Sequence, residues 1–308
     1  MNAIPADLRA MVHGHIGPAR PLRFWRQVHT NVDIWELAST EGDRYFLKRF
    51  RESGSRSFEQ EQYAYRVWTP QLRPFTPVLI ASQRSPIATW QRGLLRRIAT
   101  RAMQWTDHGS DALLISAAPG APFAEAGLTR EQEQEVHRQA GCFLRRLHEL
   151  SCAPGTHRLN EAIRQRAKRW ARRASGRVQE DVIARVLASI QSADFDGLSH
   201  VAAHRDFSPD NWLVDAGGEQ PTLYVVDFGD SRSDVWLVDL LRLWTGAWIH
   251  RLDLMEKFFD GYGRRLTSKE EQQLYALLAL DNLARLTWSI VHNHATSERQ
   301  LREVMEKL

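Results

Sequence analysis

A chain of 308 residues, 43% hydrophobic and 25% charged, can bury a sizeable core and has the composition of an ordinary globular protein. Its longest apolar runs, such as Leu277–Leu280, fall far short of the roughly 20 residues of a membrane span, and Asp7, His13, His15 and Pro18 interrupt the first twenty residues, so neither a span nor a signal peptide is expected. A net charge of +4 is no sign of a nucleic-acid partner here, because the arginines are scattered over helical segments with no interleaved aromatics and no nucleic-acid motif.

Taken in order, residues 6–13 suit a short helix, and Leu22–Val28, Asp33–Ala38 and Arg44–Phe50 are three strands rich in aromatic and β-branched residues. The breaks between them, His29-Thr30-Asn31 and Thr40-Glu41-Gly42-Asp43, have turn compositions. A helix over 58–68 ends before Pro70, and strands are expected over 75–81 and 112–117. Between those two strands lies an insertion, 83–106, with Arg84, Arg92, Arg96, Arg97 and Arg101 and no acid before Asp107. Trp90, Leu94, Ile98 and Trp105 follow a helical stripe in it, which reads as an amphipathic cover for the sheet or as a peripheral contact with an anionic surface. Pro119-Gly120-Ala121-Pro122 then breaks the chain and is the expected hinge between two lobes, 1–117 and 118–308.

Beyond the hinge the pattern turns helical. Thr129 can cap a helix over 130–150, and shorter helices suit 162–175 and 182–190. Residues 200–203, 211–214 and 223–226 are short apolar strands, and from Val235 onward the chain reads as almost all helix. Cys142 and Cys152 are expected to be reduced thiols of a cytoplasmic protein.

The chemistry concentrates in His204-Arg205-Asp206-Phe207-Ser208-Pro209-Asp210-Asn211, which fits H-R-D-x-x-x-x-N, the catalytic-loop pattern of kinases, at every fixed position. Asp227-Phe228-Gly229 begins sixteen residues after Asn211, behind the apolar strand Leu223–Val226. An aspartate at the place of Asp206 orients an acceptor hydroxyl and takes its proton. An amide oxygen and a carboxylate at the ends of two paired strands, Asn211 and Asp227, suit a magnesium ion held against nucleotide phosphates. Lys48 stands on an otherwise apolar third strand as the phosphate lysine, with Glu59 and Glu61 as possible partners. Glu61 shares a helix face with Phe58, Tyr65 and Trp68, and is the better choice.

With these residues in place, the chain resembles the aminoglycoside phosphotransferase and choline kinase-like small-molecule kinases over nearly its whole length. The likeness rests on Lys48, on Ile115–Pro122, on Ala140–His148, on the catalytic loop, on Asp227–Asp230, on Asp234 through Asp239-Leu240-Leu241, and on Phe259–Gly263. It implies an α+β, bilobal protein kinase-like fold with a mostly β N-lobe and a helical C-lobe. It also implies ATP or GTP bound in the cleft near Ser116 and Ala118, and an acceptor site walled by C-terminal helices. His204 and Asp239 would support the catalytic loop rather than do chemistry. The sequence departs from kinases between its first two strands, where Val28-His29-Thr30-Asn31-Val32 replaces a glycine-rich loop. Thr30 or Asn31 would there meet the phosphates. No Walker motif occurs.

A protein substrate is not expected, because Asp239 follows Asp227 by only twelve residues and no A-P-E occurs. Net charge runs from +7 over 1–110 and +4 over 111–190 to −7 over 191–308. Asp230, Asp234, Asp253, Glu256 and Asp260 lie in or near the expected acceptor wall, which favours a cationic acceptor. An aminoglycoside or other basic antibiotic, phosphorylated by a resistance enzyme, comes first. A sugar, sugar-lipid or choline-type metabolite is the alternative, with Trp236, Trp244 or Trp248 as a cage for a quaternary ammonium. A pseudokinase binding module is the non-enzyme reading.

Overall fold

In the computed structural model, which describes residues 3–27, 31–51, 56–85, 110–152 and 159–291, the chain divides into two compact units. The first comprises Met1–Gln132 with Asp210–Arg232, and the second Glu133–Pro209 with Ser233–Leu308. Among the described residues no helix is long and apolar enough to cross a membrane. Both cysteines are free thiols.

The first unit is built on an antiparallel sheet of β1 (Ala19–Gln27), β2 (Val32–Ser39), β3 (Arg44–Phe50), β4 (Leu79–Gln83) and β5 (Asp111–Ser116), in the order β1-β2-β3-β5-β4. Alternation along β3 sends Leu47 to one face and Lys48 and Phe50 to the other. On the Leu47 face, Trp35, Leu37 and Leu114 pack with Leu8, Met11 and Val12 of α1 (Ala6–Ile16). On the opposite face Phe50 meets Phe58 of α2 (Arg56–Tyr63), ring centroids 5.3 Å apart. The fourth strand starts at Leu79 rather than Phe75, because Pro77 has no N–H for the ladder. The segment before it is instead fixed by Val78 and Ser116, where the Val78 N–H donates to Ser116 Oγ and the Ser116 N–H to the Val78 carbonyl, both at 2.9 Å.

The helix expected over 58–68 is α-helical only to Tyr63, and Ala64–Trp68 is a wider π turn. That turn carries Ala64, Tyr65 and Trp68 inside and leaves Tyr63 and Val67 exposed. A second sheet joins β6 (Ala121–Pro122), β8 (Trp212–Asp215) and β9 (Thr222–Val225) in the order β6-β8-β9. The residue expected in the hinge turn, Gly120, has a left-handed φ of 91°, and a Cβ there would strike the Val214 backbone.

The second unit is mainly helical. It contains most of α3 (Arg130–His148), then α4 (Leu159–Ala174), α5 (Glu180–Ser192), α6 (Leu241–Thr245), α7 (Leu252–Tyr262) and α8 (Ser268–Val291). Thr129 and Gln132 cap α3 reciprocally: the Gln132 N–H donates to Thr129 Oγ1, and the Thr129 N–H to Gln132 Oε1 at 2.9 Å. Val136, Ala140, Phe143, Leu144 and Leu147 line the buried stripe of α3. Gly141 of α3 and Gly261 of α7 let the two helix backbones touch, since a Cβ on either would overlap the other helix's carbonyls. The short pair β7 (His200–Ala203) and β10 (Arg232–Val235) leads into a 3-10 turn at Trp236–Leu240. Sequence patterning did not foretell β10, which is four residues long and mostly polar.

Candidate active site

The first unit gathers Lys48, Glu61 and Asp227. Lys48 Nζ donates to Glu61 Oε1 at 2.6 Å and to Asp227 Oδ1 at 3.0 Å. Glu61 is 2% exposed, whereas Glu59 lies on the solvent side of α2. Burial alone would strip the charge from Lys48, but the Asp227 and Glu61 carboxylates outweigh it and raise its pKa. Burial, reinforced by the Asp227 charge, pushes Glu61 up to about 7 against the pull of Lys48. Tyr65 stands beside this group with its hydroxyl buried and its ring edge-on to Phe228 at 5.6 Å.

Pairing of Trp212 with Val225 sets Asn211 and Asp227 at the same open end of the β8–β9 hairpin. The Val226 N–H donates to the Asn211 carbonyl at 3.0 Å, and the Val225 N–H to the Phe75 carbonyl at 2.9 Å, which anchors the hairpin within its unit. Asp227 adopts a left-handed φ of 63°, a conformation aspartate tolerates better than most residues, and keeps 39% side-chain exposure. A carboxylate and an amide oxygen are the hard donors that magnesium prefers. With few protein ligands, such an ion takes its remaining oxygens from phosphates and water, so the two residues fit magnesium.

The second unit holds His204, Arg205 and Asp206. The fully buried Asp239 accepts from the His204 N–H at 3.0 Å, from the Arg205 N–H, and from His148 Nε2 at 3.0 Å. His148 Nδ1 in turn lies 2.8 Å from the Tyr262 hydroxyl. Arg205 has a left-handed φ of 69°, a position that favours glycine, so these bonds hold a conformation that costs about 1–3 kcal/mol. The His204 and Phe143 rings pack on Phe207, Phe143 stacked at 6.1 Å. Asp206 itself accepts from Arg242 Nε at 2.9 Å. Sequence reasoning passed over Arg242, and no motif marks it. His148 falls within a quoted motif, yet nothing in the sequence ties it to Asp239.

Thr30 and residues 86–109, which include most of the basic insertion, lie outside the described residues. Arg84 at the start of that insertion places its guanidinium 5.8 Å from the Phe58 ring centroid. The Asn31 carbonyl accepts from the Arg51 N–H at 3.0 Å, and Ser116 ends β5 with Ala118 two residues on. The acids expected in an acceptor wall are largely engaged by arginines. Asp234 pairs with Arg205 at 2.9 Å, Asp253 with Arg251 at 3.0 Å, and Asp260 with Arg265 at 2.8 Å. Glu256 is exposed on α7, and Asp230, exposed in the first unit, acts electrostatically on Glu61. Trp236 and Trp248 are buried, and the Arg264 guanidinium covers the Trp236 ring at 4.2 Å. A cavity of about 420 Å³ in the second unit is lined by His148, Trp236 and Tyr262 and does not reach Asp206.

No curated protein matches the sequence significantly. Among solved structures, the chain is similar to a thermostable mutant of aminoglycoside phosphotransferase APH(4)-Ia, with 13% identity, TM-score 0.67, and coverage of 97% of this chain and 98% of that one. A macrolide 2'-phosphotransferase from Brachybacterium faecium has 16% identity and TM-score 0.62, over 98% and 97% of the two chains. A streptomycin-ATP-APH(2")-IIa ternary complex has 14% identity and TM-score 0.60, over 100% and 96%. At these identities the likeness establishes a shared protein kinase-like fold. The model of the phosphotransferase enzyme family matches residues 32–280, more than half of the chain. The protein therefore belongs to the phosphotransferase enzyme family and is a nucleotide-dependent O-phosphotransferase.

Proposed function

We propose that this enzyme uses ATP, or GTP, with magnesium to phosphorylate a hydroxyl of a small molecule, and that it does so in the cytoplasm. The observation that carries the reading is the Lys48 ammonium held between Glu61 and Asp227 at 2.6 and 3.0 Å. A lysine fixed in this way presents a permanent positive charge to nucleotide phosphates. Thr30 and Asn31 at the first turn, and Ser116 and Ala118 at the hinge stretch, complete the nucleotide contacts. The hinge at 119–122 separates the functional lobes 1–117 and 118–308. Asn211 and Asp227 hold magnesium, which when bound neutralises charge on the phosphate oxygens. Asp206 accepts the proton of the acceptor hydroxyl as its oxygen bonds to the γ-phosphorus and the bond to the bridging oxygen of the nucleoside diphosphate breaks. His204 and Asp239 hold the loop that aims Asp206.

The pseudokinase reading loses support because Lys48, Asp206, Asn211 and Asp227 are all present. An aminoglycoside or other basic antibiotic held by Asp230, Asp234, Asp253, Glu256 and Asp260 draws on the segmental charge and on the similarity to a phosphotransferase in complex with streptomycin and to a macrolide phosphotransferase. The arginine pairing of three of those acids favours the alternative, a sugar or other metabolite. The test is a thermal-shift titration with ATP, with and without magnesium, followed by transfer assays on aminoglycosides, basic cyclic peptides, choline and sugars. ATP is expected to stabilise the protein only with magnesium. Asp206→Asn and Asp206→Ala are expected to bind nucleotide and transfer no phosphate, and near-normal turnover in either variant would sink the assignment.

A further inference from the structure

The charge around Asp206 in the second unit runs opposite to what a polycationic acceptor needs. Arg242 bonds Asp206 directly. Arg285 of α8 pairs with Asp281 at 2.7 Å and lies within electrostatic reach of both Arg242 and Asp206. Arg205, next in the chain to Asp206, pairs with Asp234. Arg166 of α4 is half-buried, within reach of the Arg205, Asp234 and Asp281 charges, and makes no hydrogen bond or ion pair with any described residue. Four arginines thus share three aspartates, one of which is Asp206 itself.

Such an arrangement is unfavourable as pure scaffolding. Guanidinium groups brought together out of bulk water repel one another, and an unpaired one that is half-buried loses hydration with no compensating bond. Burial is the first cause that depresses the pKa of both Arg166 and Arg285; the Arg205 charge adds to it at Arg166, and at Arg285 the Arg242 charge adds to it against the pull of Asp281. The Arg242 and Arg285 side chains are 38% and 36% exposed, so solutes can reach them. The planar fork of arginine matches the oxygens of phosphate or carboxylate in bidentate geometry. Resting on the phosphotransferase reading for the role of Asp206, we infer that Arg166, Arg242 and Arg285 form a receptor for an anionic group of the acceptor. The alcohol phosphorylated by this enzyme then carries a phosphate or carboxylate near the hydroxyl presented to Asp206. A polycation would meet repulsion at the same place.

The terminal phosphate of the nucleotide could in principle supply the same chemistry, so the test separates the two sources. Isothermal titration of the full chain uses inorganic phosphate, sn-glycerol 3-phosphate and, as the neutral match, glycerol. Saturable binding is expected for the two anions and none for glycerol, with affinity unchanged when a non-hydrolysable ATP analogue and magnesium are present. Arg166→Gln is expected to weaken anion binding at least about tenfold, and Arg166→Lys by less. Loss of a guanidinium that bonds no described residue leaves the melting temperature equal or higher, which an arginine serving structure would not do. Absence of an anion site in the wild type, equal affinity in a folded Arg166→Gln protein, or displacement by the ATP analogue would each overturn the inference. None of these readings requires turnover. Failure of the phosphotransferase reading shows separately, as loss of magnesium-dependent stabilisation by ATP.

Discussion

Replacing Asp239 with alanine removes a fully buried acceptor shared by the His204 N–H, the Arg205 N–H and His148 Nε2. Each charge-assisted bond is worth about 1.5–3 kcal/mol, and a buried donor left unmatched costs a similar amount. The two backbone bonds and the histidine together give a gross loss of about 4.5–9 kcal/mol. Relaxation of the left-handed Arg205 returns about 1–3 kcal/mol, leaving a net cost of at least about 1.5 kcal/mol and up to about 8 kcal/mol. That is a large part of a domain's total stability, and it falls on the loop that carries Asp206. Amide hydrogen exchange read by mass spectrometry over residues 203–209 should therefore accelerate by at least about tenfold. Asp239→Asn keeps an oxygen for only one of the two backbone donors, because the His204 N–H bonds Oδ2 and the Arg205 N–H bonds Oδ1. His148 can meet the new amide by moving its proton to Nδ1 and donating to Tyr262, but one backbone donor is left unmatched, so this variant should lose about 1–3 kcal/mol, less than Asp239→Ala. Exchange of the His204 and Arg205 amides at the wild-type rate in Asp239→Ala would refute the bracing role.

Other perturbations test the remaining contacts. Lys48→Met leaves Glu61 buried near Asp227 without a cation and should destabilise the protein by about 3–5 kcal/mol. Adding Glu61→Leu should recover much of that loss in urea unfolding, and strictly additive costs would contradict the coupling. His137 is fully buried, and burial holds its imidazole at about 4, below the ordinary 6.5. The unfolded chain then binds more protons between these values, so stability present above pH 6.5 falls as pH drops toward 4, by about 3 kcal/mol. His137→Met should flatten that part of the pH-stability curve. Gly141→Ala drives a Cβ into the Phe258 carbonyl and within 2.7 Å of the Tyr262 nitrogen. Backbone cannot yield as a side chain does, so a cost of at least about 2 kcal/mol is expected in thermal unfolding. A wild-type melting temperature would show that the two helices are not held at contact distance.

The sequence by itself determined the parts whose physics is local. Runs of aromatic and β-branched residues between turn compositions marked β2 and β3, helical patterning marked α3, and Thr129 with Gln132 in the first turn marked where α3 begins. The catalytic loop and Asp227-Phe228-Gly229 were legible because their spacing lies within one stretch of chain. The helix face shared by Phe58, Glu61, Tyr65 and Trp68 singled out the glutamate that Lys48 meets. Tertiary structure decided what depends on partners far apart in sequence. The strand β10 is polar and exists because it pairs with β7 thirty residues upstream. His148 meets Asp239 across 91 positions, and no periodicity encodes such a meeting. Charge shows this most plainly. Counting residues made the last third acidic, but ion pairing acts over a few ångströms, and only the folded chain sets Arg205, Arg251 and Arg265 against those acids and Arg242 against Asp206.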